Sequence, residues 1–385
     1  MSELRRLLRC WRALRAFKRL PRSSRHIVVY SESSQDWHHH EMLIRHLTEV
    51  LGKVVCYVSS DESDPGLTQD KPSILPYYIG TGIVRIVFFH TLQADVMLTQ
   101  LLDLDNLFLK RSVHPVHYVH MFHSMVSTHM ADRADSYDHY DTILCAGPHH
   151  VEEIRKRESL HNLNPKQLIE HGYARLEQLI DERVEPPEPD GRDIHVLLAP
   201  SWGERTILNL YGQQLTAILL EAGFQLTLRP HFQTRWNTPK VIDGIVDRFG
   251  GHEKFTLVEQ MSESNSLYSS HLMITDWSGA GIDYGLGLEK PVLYIDVPPK
   301  SRNETYRELE IEPFESRIRG AIGAILSPEK LDTAPEVIRQ LLEDRQRIRE
   351  QVRSLRRKSV FNLGKSAPVG AIAVARIAEE VAGSG

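Results

Sequence analysis

The sequence predicts an α/β protein with two doubly wound, Rossmann-like domains that face a cleft, followed by closing helices. Short apolar runs, several of them β-branched, alternate with amphipathic runs of helical length across residues 26–183. A proline- and acid-rich stretch, VEPPEPDGRD at 184–193, interrupts the alternation, which resumes at residue 194. Interleaved strands and helices favour parallel sheets, and a linker between two such runs indicates two domains.

The elements are assigned from these runs, in chain order. In the first domain, the apolar runs assigned to strands are Ile27–Tyr30, Val54–Val58, Ile83–Phe89, Val96–Thr99, Val116–Phe122 and Thr142–Cys145, and the helices are Glu41–Leu51 and His149–Arg157. In the second domain, the strands are His195–Ala199, Gln225–Arg229, Phe255–Val258, Leu272–Thr275 and Pro291–Ile295, and the helices are Thr206–Ala222 and Pro239–Phe249. The closing helices are Ala334–Lys358 and Val369–Ala382.

These assignments divide the chain into five parts. They are a basic amphipathic helix at 1–25, an N-terminal acceptor domain at 26–183, a linker at 184–193, a C-terminal donor domain at 194–330 and closing helices at 331–385.

Residues 1–25 combine an apolar stripe with a strong positive charge. They hold nine Lys or Arg and one Glu, a net charge of +8; because the whole chain carries −5, the rest carries −13. The stripe consists of Leu4, Leu7, Leu8, Trp11, Leu14 and Phe17. This pattern is typical of a helix in a membrane interface, so we expect residues 1–22 to bind an anionic membrane surface. A disordered basic tail, a helix docked on the acidic body and a mitochondrial transit peptide are alternatives.

Composition excludes several classes of protein. An acidic body argues against nucleic acid as the main partner. The three cysteines, Cys10, Cys56 and Cys145, show neither pairing nor metal-ligand spacing, which favours a reducing compartment. No apolar run approaches the roughly 18 residues that a membrane span needs, and arginines interrupt the N-terminus where a signal peptide would be apolar. We therefore expect a cytoplasmic, peripheral protein.

Three loops of the second domain follow predicted strands and should meet at one edge of its sheet. They are Ala199–Gly203 (APSWG), Arg229–His231 (RPH) and Thr275–Gly279 (TDWSG). Together they supply hydroxyls, a cation, an imidazole and helix N-termini, which are the groups that hold a diphosphate. Two tryptophans, Trp202 and Trp277, are placed to flank a base or to pack.

The ordered series APSWG, RPH and SNSLYSSHLMITDWSG…DYGLGLEKPVLYID, with Lys300 and Asn303 beyond it, resembles the CDP-glycerol glycerophosphotransferase family. That family contains the polymerases and primases of teichoic-acid-type polymers. The resemblance covers residues 115–330, and it is looser in the N-terminal domain, where YSES and YVHMFHSMVSTH carry it. It implies a GT-B fold and a CDP-activated polyol phosphate as donor, with no further cofactor. The polyol phosphate would pass to a hydroxyl of a membrane- or polymer-linked acceptor, and CMP would leave.

The resemblance also implies roles for particular residues. The base of the family's H-G motif corresponds to His123, which Ser124 follows in place of Gly. The histidine of the R-x-H-P motif corresponds to His231, which Phe232 follows in place of Pro. The phosphate-binding T-D-Y-S-S turn corresponds to 275–279, where Gly279 replaces the second Ser. The predicted catalytic residues are His123 and His231, and the predicted donor-binding residues are Ser201, Trp202, Gly203, Arg229, Thr275, Asp276, Ser278 and Gly279. Asp276 either touches the donor or caps the helix that follows.

Other histidines leave alternatives for the first domain. His120 and His129 compete with His123 as the base, since a histidine that titrates near neutral pH suits proton abstraction from a hydroxyl. The loop after the first strand carries three consecutive histidines, and His38, His120 and Ser124 are the predicted acceptor residues. Neighbouring histidines cannot all point inward and no Cys or carboxylate set completes a site, so we predict no protein-bound metal.

Two other functions remain open at this point. The first is a nucleotide-sugar glycosyltransferase or epimerase on the same fold. The second is a membrane-docked scaffold without activity, against which the histidines at both motif positions argue.

Overall fold

The computed structural model describes residues 3–106, 108–184, 193–258 and 265–383. The chain divides into two compact units. Unit 1 comprises Met1–His123, Asp132–Arg175 and Val360–Gly385, and unit 2 comprises Ser124–Ala131 and Leu176–Ser359. Of the predicted linker at 184–193, residues 185–192 lie outside the described residues.

The strands are β1 (Ile27–Ser31), β2 (Val55–Ser59), β3 (Ile74–Tyr78), β4 (Val96–Thr99), β5 (His117–Met121), β6 (Thr142–Cys145), β7 (Gln167–Glu170), β8 (His195–Leu198), β9 (Gln225–Leu228), β10 (Phe255–Leu257), β11 (Leu272–Thr275), β12 (Val292–Ile295) and β13 (Gly323–Leu326). The helices are α1 (Glu3–Arg19), α2 (Trp37–Arg45), α3 (Ile83–His90), α4 (Pro148–His161), α5 (Ala174–Asp181), α6 (Ile207–Glu221), α7 (Phe232–Asn237), α8 (Pro239–Phe249), α9 (Asn265–Ser269), α10 (Gly279–Leu288), α11 (Phe314–Ile322), α12 (Ala334–Glu343), α13 (Arg345–Ser359) and α14 (Ser366–Gly383).

The described residues of unit 1 form a seven-stranded parallel sheet in the order β3-β2-β1-β4-β5-β6-β7. The central strands are apolar and fully buried, as expected of a parallel sheet covered on both faces. Helices α1, α3 and α4 contribute to the core on one face, and α2 and α14 contribute to the core on the other. The strand order reverses between β1 and β4, which is where doubly wound proteins bind ligands.

The described residues of unit 2 form a six-stranded parallel sheet in the order β10-β9-β8-β11-β12-β13. Helices α6, α8 and α12 pack together, and α10, α11 and α13 form a second group. The order reverses between β8 and β11, whose registers pair Leu198 with Ile274. Both sheets therefore have the Rossmann strand order, which confirms the predicted pair of doubly wound domains.

Several predicted elements need correction. The run Ile83–Phe89 is helix α3 rather than a strand: its buried residues, Val84, Phe88 and Phe89, have helical spacing, while Ile83 and Ile86 are exposed. A short, mostly apolar run does not distinguish the two structures. The sequence reading also missed three strands, β3, β7 and β13, each of which lies at the edge of a sheet. Edge strands have one neighbour and need no continuous apolar run, and β3 even contains Pro76.

The domain boundaries also differ from the predicted ones. The closing helices at 331–385 do not form one group: α12 and α13 belong to unit 2, whereas α14 belongs to unit 1. The reason is packing, because the apolar face of α14, with Ala371, Val374 and Ile377, lies in the core that α2 shares. In addition, Ser124–Ala131 leaves the predicted N-terminal domain and belongs to unit 2.

The leader helix α1 is not a free amphipathic helix along its whole length. Leu14 and Phe17 are each 2% exposed in the core of unit 1, whereas Leu4, Leu7 and Leu8 are 66%, 40% and 49% exposed. Burial of Leu14 and of Phe17 contributes about 1.5–3 kcal/mol each to stability, which holds the second half of the helix on the sheet. The docked-helix alternative therefore describes that half. Among the described residues, no helix is both long and apolar enough to cross a membrane.

Candidate functional site

The ends of β8 and β11 are tied together at the switch point of unit 2. The Thr275 hydroxyl donates to the Ala199 carbonyl at 2.7 Å. The carboxylate of Asp276 accepts from the backbone N–H of Ser201 at 2.8 Å and from that of Ile207 at 3.0 Å. Thr275 and Asp276 are fully buried. These two residues therefore fix the loops after β8 and β11 relative to each other.

This geometry corrects the expectation for Asp276. Ile207 is the first residue of α6, so the carboxylate caps α6 and not α10, the helix that follows Asp276 in sequence. Because its two oxygens accept from backbone N–H groups and the side chain is buried, Asp276 holds two loops in place. Contact of Thr275 and Asp276 with the donor stays a prediction.

The N-terminus of α10 forms the outer part of the turn. Ser278 is its N-cap, and the Ser278 Oγ accepts from the Ala280 N–H at 3.3 Å. Ser278 and Gly279 are half-buried, so the Gly279 N–H and the Ser278 hydroxyl lie where an anion can reach them. An ideal Cβ on Gly279 would lie 2.5 Å from the Ser124 Oγ. The two departures from the family's motifs, Ser124 and Gly279, are therefore neighbours in unit 2.

The loop after β8 carries Ser201, Trp202 and Gly203. Ser201 is buried behind the turn, and Gly203 has φ +126°, a backbone conformation that favours glycine. The Lys300 Nζ lies 4.1 Å from the centroid of the Trp202 ring, in cation–π geometry. The structure thus brings together Trp202 and Lys300, which the sequence places 98 positions apart.

His231 caps the short helix α7 and lies beside this pair. Its Nδ1 accepts from the Gln233 N–H at 3.1 Å, and its ring centroid lies 6.1 Å from that of Trp202. Burial, with a smaller contribution from the Lys300 charge, lowers the pKa of His231 to about 4. At neutral pH the ring is therefore neutral, with its proton on Nε2, which makes it a hydrogen-bond donor rather than a cation. The preceding strand, β9, ends at Leu228, and Arg229, which follows it, is buried.

Sequence reasoning missed Arg319, on α11. Its guanidinium lies 3.7 Å from the centroid of the Trp277 ring and pairs with Asp296 at 3.1 Å. The Trp277 Nε1 donates to the Val297 carbonyl at 2.8 Å, so this tryptophan packs within the unit. An arginine within a helix carries no sequence signal for such a position.

His123 follows β5 in unit 1 and is exposed. The Tyr173 hydroxyl donates to the His123 carbonyl at 2.8 Å, and the ring of His39 stacks on Tyr173 with centroids 6.1 Å apart. The His39 and His123 centroids are 6.2 Å apart. Burial and the neighbouring His123 lower the pKa of His39 well below its usual value. An accessible imidazole thus lies beside a neutral one.

The other two candidate bases, His120 and His129, are buried among protein groups. His120 is fully buried and meets Phe122, Tyr137 and Tyr140 edge-on, with centroids 4.9, 4.9 and 5.0 Å away; burial lowers its pKa well below the usual value. His129 is buried, with its Nε2 at 3.1 Å from the Ile311 carbonyl. These environments correct the expectation that His120 lines an acceptor site, and they favour His123 among the three candidate bases.

The three consecutive histidines lie on helix α2 and not in a loop, so their side chains diverge. His38 is exposed, His39 is half-buried next to His123, and His40 is fully buried. Burial lowers the pKa of His40 to about 3. The predicted acceptor residue His38 is thus not the one that lies beside His123; His39 is. The absence of a protein-bound metal stays a prediction.

The segment Ser124–Ala131 is clamped within unit 2. The buried carboxylate of Glu315 accepts from the backbone N–H and the hydroxyl of Ser127, each at 2.8 Å. The Asn303 Nδ2 donates to the His129 carbonyl at 2.9 Å, and the Arg302 N–H donates to the Met130 carbonyl at 3.0 Å. The chain that leaves His123 is therefore immediately held by residues of the other unit.

Comparisons with known proteins place this fold. No protein-family profile and no curated protein sequence matches the chain. Among solved structures, the wall teichoic acid polymerase TagF, determined with CDPG, is similar at a TM-score of 0.54 and 13% identity over 99% of each chain.

Two sugar-nucleotide epimerases are also similar. A UDP-N-acetylglucosamine 2-epimerase assigned in Listeria monocytogenes has a TM-score of 0.57 at 15% identity, over 89% of this chain and 93% of that one. The UDP-GlcNAc 2-epimerase of Neisseria meningitidis, bound to UDP-GlcNAc, has a TM-score of 0.58 at 12% identity, over 91% and 99%. Identities this low establish the fold alone. The chain therefore has the GT-B fold class, with two Rossmann-like domains.

Proposed function

We propose that the chain is a transferase that moves glycerol phosphate, or another polyol phosphate, from a CDP-activated donor to a hydroxyl of a membrane- or polymer-linked acceptor. The acceptor oxygen attacks the phosphorus that bears the polyol, the bond from that phosphorus to the bridging oxygen breaks, and CMP leaves with the bridging oxygen. The proton of the acceptor hydroxyl passes to a base. The observation that carries the proposal is the turn at Ser278 and Gly279, to which the ordered sequence motifs also point.

The residues around this turn suit a diphosphate. The Gly279 N–H at the start of α10 and the Ser278 hydroxyl offer hydrogen bonds, and the positive end of the helix dipole favours an anion. The neutral imidazole of His231 adds its Nε2–H, and Lys300 adds a full charge. Fixed donors of this kind stabilise the charge that develops on a leaving phosphate. In this proposal His231 binds and polarises, and it does not transfer a proton near neutral pH.

His123 is the proposed base. Its exposure allows an acceptor hydroxyl to approach, and a histidine can take a proton near neutral pH. Its neighbour His39, with ring centroids 6.2 Å apart, stays neutral because burial lowers the pKa of His39.

The first half of α1 supports a peripheral location at an anionic membrane on the cytoplasmic face. Leu4, Leu7 and Leu8 are exposed, and arginines occupy the positions between and after them. An exposed apolar stripe of this kind, flanked by cations, suits a lipid interface. The docked second half would hold the body there. Vesicle sedimentation of the chain with Leu4, Leu7 and Leu8 changed to Asn should show weaker binding to anionic vesicles than the unaltered chain; equal binding would exclude this role.

A second candidate is a nucleotide-sugar glycosyltransferase or epimerase. The observation that favours it is that the two epimerase structures have TM-scores of 0.57 and 0.58, as high as that of the polymerase at 0.54. Since the fold is common to both candidates, only the substrate distinguishes them.

The experiment is a turnover panel of CDP-glycerol, CDP-ribitol, UDP-GlcNAc and a CMP-sugar, with release of CMP or UDP as the readout. Acceptor-bearing membranes are added to each reaction. The proposal predicts CMP release from at least one CDP-polyol, and loss of that release in His123→Ala. Turnover of UDP-GlcNAc without turnover of any CDP-polyol would establish the second candidate instead.

A further inference from the structure

Gly279 has no side chain, and the hydroxyl of Ser124 occupies the space that a Cβ at this position would need. An ideal Cβ on Gly279 would lie 2.5 Å from the Ser124 Oγ and 3.4 Å from the Val126 Cγ1. A contact of 2.5 Å is too short for a real Cβ, so a side chain at 279 and the hydroxyl at 124 exclude each other as placed. We infer that Ser124 supplies the hydroxyl that position 279 lacks, and that it binds a phosphate group of the donor. This inference rests on the proposed donor site.

The hydrogen bonds of Ser124 leave its proton for a ligand. The Ser124 Oγ accepts from the Val126 N–H at 3.3 Å, which uses a lone pair and not the O–H group. The Ser278 Oγ accepts from the Ala280 N–H at 3.3 Å in the same way. Two hydroxyls that can each donate therefore lie at the first turn of α10. Their donors add to the Gly279 N–H and to the positive end of the helix dipole, which favour an anion.

The position of Ser124 is fixed by the segment that carries it. Three residues further on, Ser127 binds the buried Glu315 carboxylate through both its N–H and its hydroxyl. Asn303 holds the His129 carbonyl. A hydroxyl on a segment held in this way loses little conformational freedom when it binds a ligand, which favours affinity.

A buried arginine next to Trp277, the residue before Ser278, keeps one donor without a partner. Arg319 is 7% exposed, and its guanidinium stacks on Trp277. One amino group pairs with Asp296, which compensates the charge, while the Nε has no hydrogen-bond partner among the described residues. A buried N–H without an acceptor is costly, so an acceptor on a ligand at this place would be favoured.

The test is a double-mutant cycle of four proteins: the unaltered chain, Ser124→Ala, Gly279→Ser and the double variant. The probes are inorganic pyrophosphate, CDP and CDP-glycerol, titrated calorimetrically into the full chain. Ser124→Ala should weaken all three by about tenfold, because a hydrogen bond to a charged group is lost. Gly279→Ser alone should weaken binding by a similar factor, since its side chain displaces the Ser124 hydroxyl. The affinity of the double variant should return to within about twofold of that of the unaltered chain. The reason is that the Ser124 Cβ, 3.7 Å from the ideal Cβ of position 279, leaves room for the new hydroxyl.

Ser354→Ala on α13 is the matched control, a half-buried serine of the same unit that should not change binding. Thermal unfolding without ligand confirms that each variant is folded. Unchanged binding in Ser124→Ala, or a double variant no better than Gly279→Ser, would overturn the inference. If pyrophosphate follows the cycle but CDP-glycerol does not bind the unaltered chain, the Ser124 site stands and the CDP-polyol donor is wrong. If no probe binds the unaltered chain, both are wrong.

Discussion

The two units have the same strand order around their switch points but very different chemistry there. In unit 2 the loops after β8 and β11 are bound to each other by a buried carboxylate and a buried hydroxyl, and they present N–H and O–H donors. In unit 1 helix α2, which follows β1, and the loop after β5 present imidazoles that range from fully buried to exposed. The first arrangement suits the holding of an anion, and the second suits proton transfer. Topology thus fixes where a site lies, and the side chains decide what it does.

The largest effect should come from His123 in unit 1. His123→Ala should lower turnover of the CDP-polyol by about 10²–10⁴-fold, the usual contribution of a general base, while donor affinity stays within about twofold. Steady-state kinetics with calorimetric binding separates the two quantities. His161→Ala, an exposed histidine at the end of α4, is the control. A parallel fall in donor affinity would show that His123 binds the donor instead.

Asp276 in unit 2 should matter for stability before it matters for chemistry. Asp276→Ala leaves two buried N–H groups without an acceptor, so the free energy of unfolding should fall by about 3 kcal/mol. Asp276→Asn keeps one acceptor oxygen and should lose less. Urea unfolding measures both variants, with the exposed Asp243→Ala on α8 as the control. A loss in Asp276→Ala no larger than in the control would mean that the loops are held in some other way.

Ser278 in unit 2 should affect both stability and donor affinity. Ser278→Ala removes an N-cap, which costs about 1 kcal/mol of stability, and a hydrogen bond to the donor, which costs about tenfold in affinity. Turnover at saturating donor should change little. Calorimetry and kinetics on the same preparation measure these effects. If affinity is unchanged, the donor does not bind at α10.

The free energy of unfolding should depend on pH through His231. The pKa of His231 is lowered to about 4, below its unfolded value, so the stability it contributes is complete above about pH 6.5 and is lost as the pH falls towards 4. His40 and His171, whose pKa values burial lowers to about 3 and about 4, act in the same direction in unit 1. His231→Gln should therefore reduce the slope of unfolding free energy against pH by up to about 1.4 kcal/mol per pH unit in that range. An unchanged slope would contradict a neutral, buried His231.

The smallest effect should come from Lys300. Its charge is the lesser cause of the low His231 pKa, after burial, so Lys300→Ala should raise that pKa only slightly. Loss of the cation–π contact with Trp202 should lower the free energy of unfolding by about 0.5–1 kcal/mol. Histidine ring resonances followed by NMR across pH 3–7 give the first quantity. A return of the pKa to its usual value would mean that the lysine, and not burial, keeps the ring neutral.

The sequence was sufficient for the parts of the fold that depend on continuous burial. Leu272–Thr275 and Pro239–Phe249 have the predicted bounds, because a central strand and an amphipathic helix leave clear patterns. Edge strands such as β7 and the short, mostly apolar helix α3 leave no clear pattern. The three loops of the candidate site could be predicted, since strand ends are visible in sequence.

The way in which those loops are held could not be predicted, because it depends on contacts between distant parts of the chain. Asp276 bonds to Ser201 and Ile207, and Glu315 bonds to Ser127. Nor could a stripe of apolar residues show that half of α1 is buried, because periodicity is the same for a helix on lipid and a helix on protein.

In the proposed reaction, Ser278 of unit 2 binds the CDP-activated polyol phosphate and His123 of unit 1 is the base. Calorimetric titration of CDP-glycerol into the unaltered chain, Ser278→Ala and His123→Ala, with UDP-GlcNAc as the competing donor, tests both roles. CDP-glycerol should bind the unaltered chain more tightly than UDP-GlcNAc does, Ser278→Ala should bind it about tenfold more weakly, and His123→Ala should bind it with unchanged affinity. Binding of UDP-GlcNAc alone, or CDP-glycerol binding that Ser278→Ala leaves unaltered, would contradict it.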